Sequence, residues 1–473
     1  MRNLVLAFML ALLGAGCTLG PDYVRPNLDM PAAWRIEAGE ANNLADTAWW
    51  GQFGDPVLSG LIDTALRENK DLLIATARIE EFEGRYGIVR ADLFPQVGAG
   101  ASYSRDQITR EAENKPAEGY ATLTETYSTT LNAAWEIDLW GRIRRSTEAA
   151  RAQLLGTEEA RRGVILSLVG NVAAAYVNLR GLDRQLEIAR NTVRSREGSY
   201  RIFQERYDGG IISLLELTQN KSQYEEAMAI IPPIEKAIAQ QENGLSVLLG
   251  RNPGPIPRGL PIEELTLPAV VAGLPSDLLE RRPDVRQAEQ ALVAANAQIG
   301  VAKAAYFPAI SLTGLFGFAS ADLKDLFRDS AQAWSYSAPV TVPIFTAGRI
   351  AGNVKAAEAI QRQALAGYRQ AVQNAFREVN DALTDQQQTG RQLDAQDKQV
   401  ASLRQYDEVA RLRYDEGYTD FLTVLDAERS LFNAELSFTQ TRVALHRAMI
   451  GLYKAMGGGW MNTVEQSAAT RAQ

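Results

Sequence analysis

The chain of 473 residues has one cysteine, Cys17, and one histidine, His446. A single cysteine cannot close an internal disulfide, so no disulfide framework organises this fold. Neither residue has the companions that a Cys/His ligand set requires, and no Walker-type nucleotide loop is present, so no metal site and no cofactor is expected. His446 lies between Leu445 and Arg447 in a helical stretch, where a satisfied structural histidine is expected rather than a catalytic one. Together these absences argue against an enzyme. Basic excess is also missing: 49 Lys and Arg against 57 Asp and Glu leave a net charge of −8, which argues against nucleic acid as the main partner. Long apolar runs are scarce as well. The run Leu4 to Leu13 is too short to span a bilayer, and no other segment supplies about 18 uninterrupted apolar residues. If the protein crosses a membrane it must therefore do so as strands, because only helices and closed barrels satisfy their backbone in lipid. The 46% hydrophobic content is nevertheless enough for sizeable packed cores.

The N-terminus reads Met1-Arg2-Asn3, the apolar run, and then Gly14-Ala15-Gly16-Cys17. A charged start, an apolar middle and a small-residue end predict a secretory signal over residues 1–16. The competing reading is an N-terminal helix with a chance buried cysteine. With a signal removed, Cys17 is expected to be the acylated first residue of a lipoprotein. The segment resembles a bacterial lipobox, although Leu13 sits four places before Cys17 where the usual pattern has it three before. Thr18, rather than Asp, follows the cysteine, which is compatible with delivery to the outer membrane.

The chain repeats itself. Asn69-Lys70-Asp71-Leu72 to Phe94-Pro95 aligns with Arg282-Pro283-Asp284-Val285 to Phe307-Pro308 at an offset of 213, counted from Pro95 to Pro308. Gly141-Arg142-Ile143 aligns with Gly348-Arg349-Ile350, and Arg206-Tyr207-Asp208 with Arg413-Tyr414-Asp415, both at an offset of 207. From Gly-Arg to Arg-Tyr both copies count 64 residues without proline. Ile165, Leu168, Val172, Tyr176, Leu179, Leu182 and Leu186 recur there at spacings of three and four, as do Val372, Phe376, Val379 and Leu383. Each stretch is predicted to be a helix of roughly 96 Å, at 1.5 Å per residue, suited to a coiled-coil barrel.

Before each long helix the period changes to two. Val97, Ala99, Ala101 and Tyr103 form one candidate strand face, and Tyr127, Thr129, Leu131, Ala133 and Trp135 another. Copy two offers Ile310, Leu312, Leu315, Phe316 and Phe318, then Trp334, Tyr336, Ala338, Val340 and Val342. Strands of about ten residues suffice for a tilted bilayer crossing. Four strands cannot close a barrel alone, whereas three chains would supply twelve. The predicted organisation is a signal at 1–16, a lipidated segment at 17–68, and a first repeat at 69–249. That repeat has strands about 96–105 and 125–138 and a tip turn about 207–213. A Pro-rich linker follows at 250–281. The second repeat covers 282–456, with strands about 309–319 and 334–344 and a tip about 414–420, and a tail covers 457–473. Pro232-Pro233 is expected to interrupt a helix that copy two continues. The fold class is thus mainly α with β: a duplicated repeat of long coiled-coil helices plus two strand pairs.

Read in order, Cys17 to Pro26, Trp49-Trp50, Phe94-Pro95, Leu139-Trp140-Gly141-Arg142, Leu274 to Asp284 and Leu452 to Trp460 resemble the TolC-like outer-membrane factor family. They are most similar to its lipoprotein branch serving resistance-nodulation-division efflux pumps. The resemblance implies a homotrimer in which a twelve-stranded outer-membrane barrel continues into a periplasmic helical barrel. It implies as partners a periplasmic adaptor, an inner-membrane resistance-nodulation-division pump and outer-membrane lipid, with no nucleic acid. The implied activity is passage of drugs or other small toxic compounds out of the cell. The alternatives are an exit duct for ATP-driven protein secretion and a purely structural periplasmic coiled coil.

Site expectations follow from the repeats and the resemblance together. Gly210 and Gly417 sit where a long helix must reverse, and turn chemistry alone also explains them. By resemblance, those tips, with Ser213, Thr419 and Asp420, dock the adaptor. Leu422 and Asp426, four apart on one helical face, are expected to close the pore as rings of three, with Arg429 relieving the carboxylate repulsion. Tyr414 resembles the family's tip tyrosine, and Glu216 is the acid expected to receive it. The competing reading is ordinary coiled-coil packing with a surface ion pair.

Overall fold

The computed structural model describes residues 18–27, 34, 48–109, 111, 122–267 and 278–457. Cys17, the predicted signal and the tail from residue 458 lie outside the described residues, as do Leu274 to Asp277. The helices are α1 (Pro56–Glu68), α2 (Lys70–Ala91), α3 (Arg142–Asp208), α4 (Leu214–Leu248), a short α5 (Leu278–Arg281), α6 (Pro283–Ala304), α7 (Arg349–Asp415) and α8 (Phe421–Ala455). The strands are β1 (Gln96–Gln107), β2 (Leu123–Ile137), β3 (Ala309–Ser320), β4 (Gln332–Ser337) and β5 (Val340–Thr341). The chain divides into two compact units, one with Arg78–Thr157 and Ala288–Tyr368, the other with Glu158–Gln287 and most of the rest.

The first unit holds the sheet. Its order is β1-β2-β3-β4, all antiparallel, with β5 also on β3. The predicted strand at 334–344 is broken: Pro339 has no N–H for the ladder, although its carbonyl still accepts from Ser311 N at 3.2 Å. Small residues let the flanking helices approach closely, with Ala149 and Ala152 of α3 against Ala294 and Ala297 of α6. The extended segment at 18–27 is pinned to this unit. Leu19 N donates to Trp140 O, Arg145 reaches Leu19 O and Asp22, and Arg25 forks onto the buried Glu289 at 2.7 and 2.6 Å.

The second unit holds the larger core. Val172, Tyr176 and Leu179 of α3, from the predicted stripe, pack with Leu58 and Ile62 of α1, Leu245 of α4 and the aromatic knot of Trp49, Trp50, Phe53 and Tyr453. One stretch of α3 is long and apolar enough to cross a membrane, yet 56% of it is buried inside the protein. Asp55 is the polar centre of this core. It caps α1 through Val57 N and accepts from Tyr176 Oη at 2.6 Å and Leu260 N at 3.0 Å, so its buried oxygens are satisfied.

The repeat motifs have a structural task here. Asn69 donates to Leu248 O at the end of α4, and its repeat equivalent Arg282 donates to Ala455 O at the end of α8. Each closes an orphan helix carbonyl, and Arg282 adds a fork onto Asp284 and a bond to Glu378. Helix α4 runs unbroken through Pro232 and Pro233, contrary to the predicted interruption. The two lost hydrogen bonds are tolerated because Ile230, Ile231 and Ile234 pack around Ile188 and Phe432.

Candidate functional site

Alternation gives the sheet two unlike faces. On one, Val97, Ala99, Ala101 and Tyr103 of β1 lie opposite Ala133, Leu131, Thr129 and Tyr127 of β2. Phe316 and Phe318 of β3 continue that face, and Trp334 and Tyr336 of β4 complete it. Much of this apolar surface is open: Trp334 is 66% and Tyr336 82% exposed. The opposite face is mostly small or polar, with Ser102 bonded to Ser128 and Thr313 to Ser337, each at 2.7 Å. Leu315 falls on this second face, so the period-two reading that grouped it with Phe316 is corrected. Aromatic pairs sit on the apolar side, Tyr103 against Tyr127 at 4.7 Å and Trp334 stacked on Tyr336.

In the second unit the helix reversals are built alike. After α3, Gly210 takes φ +73°, its N–H bonds to Tyr207 O, and Ile211 N bonds to Arg206 O. After α7, Gly417 takes φ +80°, with Gly417 N on Tyr414 O and Tyr418 N on Arg413 O. Both are Schellman closures, which use glycine because a left-handed residue is required. The next helix is then capped. Ser213 and Glu216 form a reciprocal capping box on α4, and Asp420 accepts from Thr423 N at 3.0 Å and Thr423 Oγ1 at 2.8 Å on α8. Thr419 joins the same Thr423 hydroxyl at 3.0 Å. These bonds hold both carboxyls below their ordinary range, Glu216 through the Ser213 N–H and hydroxyl, Asp420 chiefly through the Thr423 hydroxyl.

Of the predicted gate residues, Leu422 and Asp426 share one exposed groove with Leu425 and Arg429, walled by Gln219, Ser222 and Gln223 of α4. Leu422 is 58% exposed rather than packed in the coiled coil. Arg429 donates to Asp426 at 3.0 Å across one helical turn. Tyr414 and Glu216 are not brought together within the chain. Glu216 is engaged in its capping box, while Tyr414 accepts from Arg206 at 3.2 Å and packs on Phe421 at 5.2 Å. The links between the two hairpins that sequence reading missed are this Arg206 contact, Phe203 on Phe421 at 4.3 Å, and Arg411, which reaches both Ser195 and the buried Glu428. Burial pushes the Glu428 carboxyl up, with Arg411 opposing. No local periodicity marks such pairs; each joins residues on different helices. Among the described residues no cluster of three His, Cys, Asp or Glu side chains is placed to hold a metal ion.

The outer membrane efflux protein family matches residues 61–251 and 274–458. The toluene efflux pump outer membrane protein TtgF of Pseudomonas putida is 36% identical, over 98% of this chain and 99% of its own length. The cation efflux system protein CusC of Escherichia coli is 38% identical, over 96% and 99%. Among solved structures, the open state of the Neisseria gonorrhoeae MtrE outer membrane channel superposes with a TM-score of 0.85 at 31% identity, covering 94% of this chain and 99% of that one. The exposed apolar sheet, the paired helical hairpins and these full-length matches lead to one conclusion: the chain belongs to the outer membrane efflux protein family.

Proposed function

We propose that three copies close into one outer-membrane channel that serves as the exit duct of a tripartite efflux system. It receives small toxic compounds from an inner-membrane resistance-nodulation-division pump through a periplasmic adaptor. The observation that carries this reading is the sheet: a broad exposed apolar face, a hydroxyl-lined opposite face, and two edges unpaired among the described residues. An apolar outside and a polar inside are what a membrane barrel with a wet lumen needs, and closure removes both edges. Relatives named for toluene and for cations match at 36% and 38%, which favours a broad cargo class selected at the pump.

In this reading Cys17 carries the lipid anchor. The tips at Gly210, Ser213, Gly417, Thr419 and Asp420 meet the adaptor, an assignment supported by their matched Schellman and capping geometry. Leu422 and Asp426 narrow the resting pore, with Arg429 beside them. Tyr414 and Glu216 act at the junction between hairpins, Tyr414 through Arg206. The test is reconstitution of the purified protein into planar lipid bilayers and expression in a strain deleted for its own copy. Discrete conductance steps and restored resistance to an effluxed compound are expected. A protein that stays soluble without detergent and never conducts would contradict the proposal.

A further inference from the structure

We infer that Arg349, at the base of the sheet, is a binding site for small multivalent anions that carry phosphate or carboxylate groups. The inference rests on the channel reading above and adds a site inside the lumen. The two copies of the repeat differ at this level of the fold. Copy one pairs Gln96 with Ala134 and copy two pairs Ala309 with Thr341, which are the positions that the offsets of 213 and 207 make equivalent. By the same offset Arg349 is the counterpart of Arg142, each the first residue of a long helix.

Arg142 is neutralised. It forks onto Glu136 at 3.0 and 2.8 Å, and the carboxylates of Asp138 and Asp92 add their charge around it. In copy two all three acids are replaced: Pro343 stands for Glu136, Phe345 for Asp138 and Ala305 for Asp92. Copy two thus keeps the guanidinium without its counter-charges, and among the described residues Arg349 has no ion pair and no side-chain hydrogen bond. The helix cap is replaced as well. Asp138 accepts from Ile143 N at 3.0 Å and Arg144 N at 2.8 Å at the start of α3, whereas Phe345, 88% exposed, can accept nothing at the start of α7. The positive end of α7 therefore adds to the field of the guanidinium.

The cation lies in a formed recess. Arg349 lines a cavity of about 250 Å³ together with Thr341, Pro343 and Asn353, and the Arg142–Glu136 pair lies on the same wall. Glu136 is opposite Ser311 and Thr341 is opposite Ala309, in step with Thr313, so both belong to the hydroxyl face of the sheet. That is the wet face of the proposed channel, and the recess opens to it. The Thr341 hydroxyl and the Asn353 amide, one turn beyond Arg349, supply further donors. A planar guanidinium holds a phosphate or carboxylate through two parallel N–H bonds, and such charge-assisted bonds are about twice as strong as neutral ones. Chloride cannot take that fork, which selects oxyanions. Three copies would place three such cations around a lumen whose chains, each with net charge −8, otherwise favour positive ions.

Inositol hexakisphosphate is the probe. The purified protein is reconstituted into planar bilayers in about 0.1 M KCl, where charges are screened over about 10 Å, and the probe is added to both chambers. A concentration-dependent block of the current that weakens as salt rises is expected. Arg349→Gln removes the charge, and Pro343→Glu restores beside it the carboxylate that copy one has. Each should raise the half-blocking concentration by about tenfold, the loss of one charge-assisted interaction. A parent that is not blocked, or a block that both variants retain unchanged, would overturn the site while leaving the channel. A parent that gives no conductance steps would remove the channel reading and the site with it. The two variants act by opposite means, one deleting the cation and one neutralising it, so the test stands if either fails to assemble.

Discussion

His446 is almost fully enclosed, with Nδ1 2.9 Å from Arg442 O, Nε2 3.4 Å from Leu265 O and the Phe53 ring 5.9 Å away. Burial depresses its pKa, and this outweighs the two carbonyls, which favour the charged ring. The folded protein therefore declines a proton that the unfolded chain accepts below about pH 6.5, so this contribution to stability is complete above that pH and is lost as pH falls. Glu159 and Glu428 have the opposite sign, since burial raises their carboxyls and acid relieves that cost. A His446→Gln variant should accordingly lose less thermal stability than the parent between pH 7.5 and pH 5, read as the unfolding midpoint in detergent. Equal slopes would assign the acid sensitivity elsewhere. The sequence already marked this histidine as structural, because it had no companions for chemistry. Its contact with Leu265, 181 residues away, was not legible, since nothing in a helical period reports a partner on the linker.

At the scale of elements, the long helices and their reversals were the most readable features. Apolar spacing and the glycine positions are local signals, and α3 and α7 each run 67 residues to a glycine closure. A Cβ at Gly210 or Gly417 would meet no heavy atom within 4 Å, so substitution there strains the backbone without disturbing packing. Forcing a β-branched residue into the left-handed region costs about 1–2 kcal/mol. Gly210→Val and Gly417→Val should leave the trimer intact, shift the tip geometry and abolish efflux. The readouts are trimer content on gels, cross-linking to the adaptor and resistance of the complemented strain. Retention of the last two would move docking away from the tips. Prolines were the less readable signal. Pro339 breaks a strand because the ladder has no substitute for its missing N–H, whereas Pro232 and Pro233 leave a helix whole because isoleucine packing outweighs two lost bonds.

At the scale of the whole molecule, the gate proposed at Leu422 and Asp426 would lie where three chains meet. Leu422 and Asp426 line an open groove in the single chain, and their side chains have no covering partner there other than Arg429 and neighbours in the groove. An exposed pair such as Asp426 and Arg429 contributes little to folding, on the order of 0–1 kcal/mol, so both positions can be changed without unfolding the hairpin. Leu422→Ala with Asp426→Ala should raise single-channel conductance in planar bilayers, weaken block by multivalent cations and admit large antibiotics such as vancomycin. Conductance and cation block equal to the parent would place the constriction elsewhere.

The sequence by itself determined the duplication, the two long helices, the strand pairs and the family, because each is written in local spacing or in motifs repeated at a constant offset. Only the tertiary structure decided which residues join distant segments. Asp55 received Tyr176 and Leu260, Arg282 closed the end of α8, Arg206 reached Tyr414, and the sheet took an order that puts β1 and β4 at its edges. The reason is physical: a periodic pattern reports which face of an element is apolar, whereas a buried polar group is satisfied by whichever partner packing brings within about 3 Å, and sequence separation carries no record of that distance.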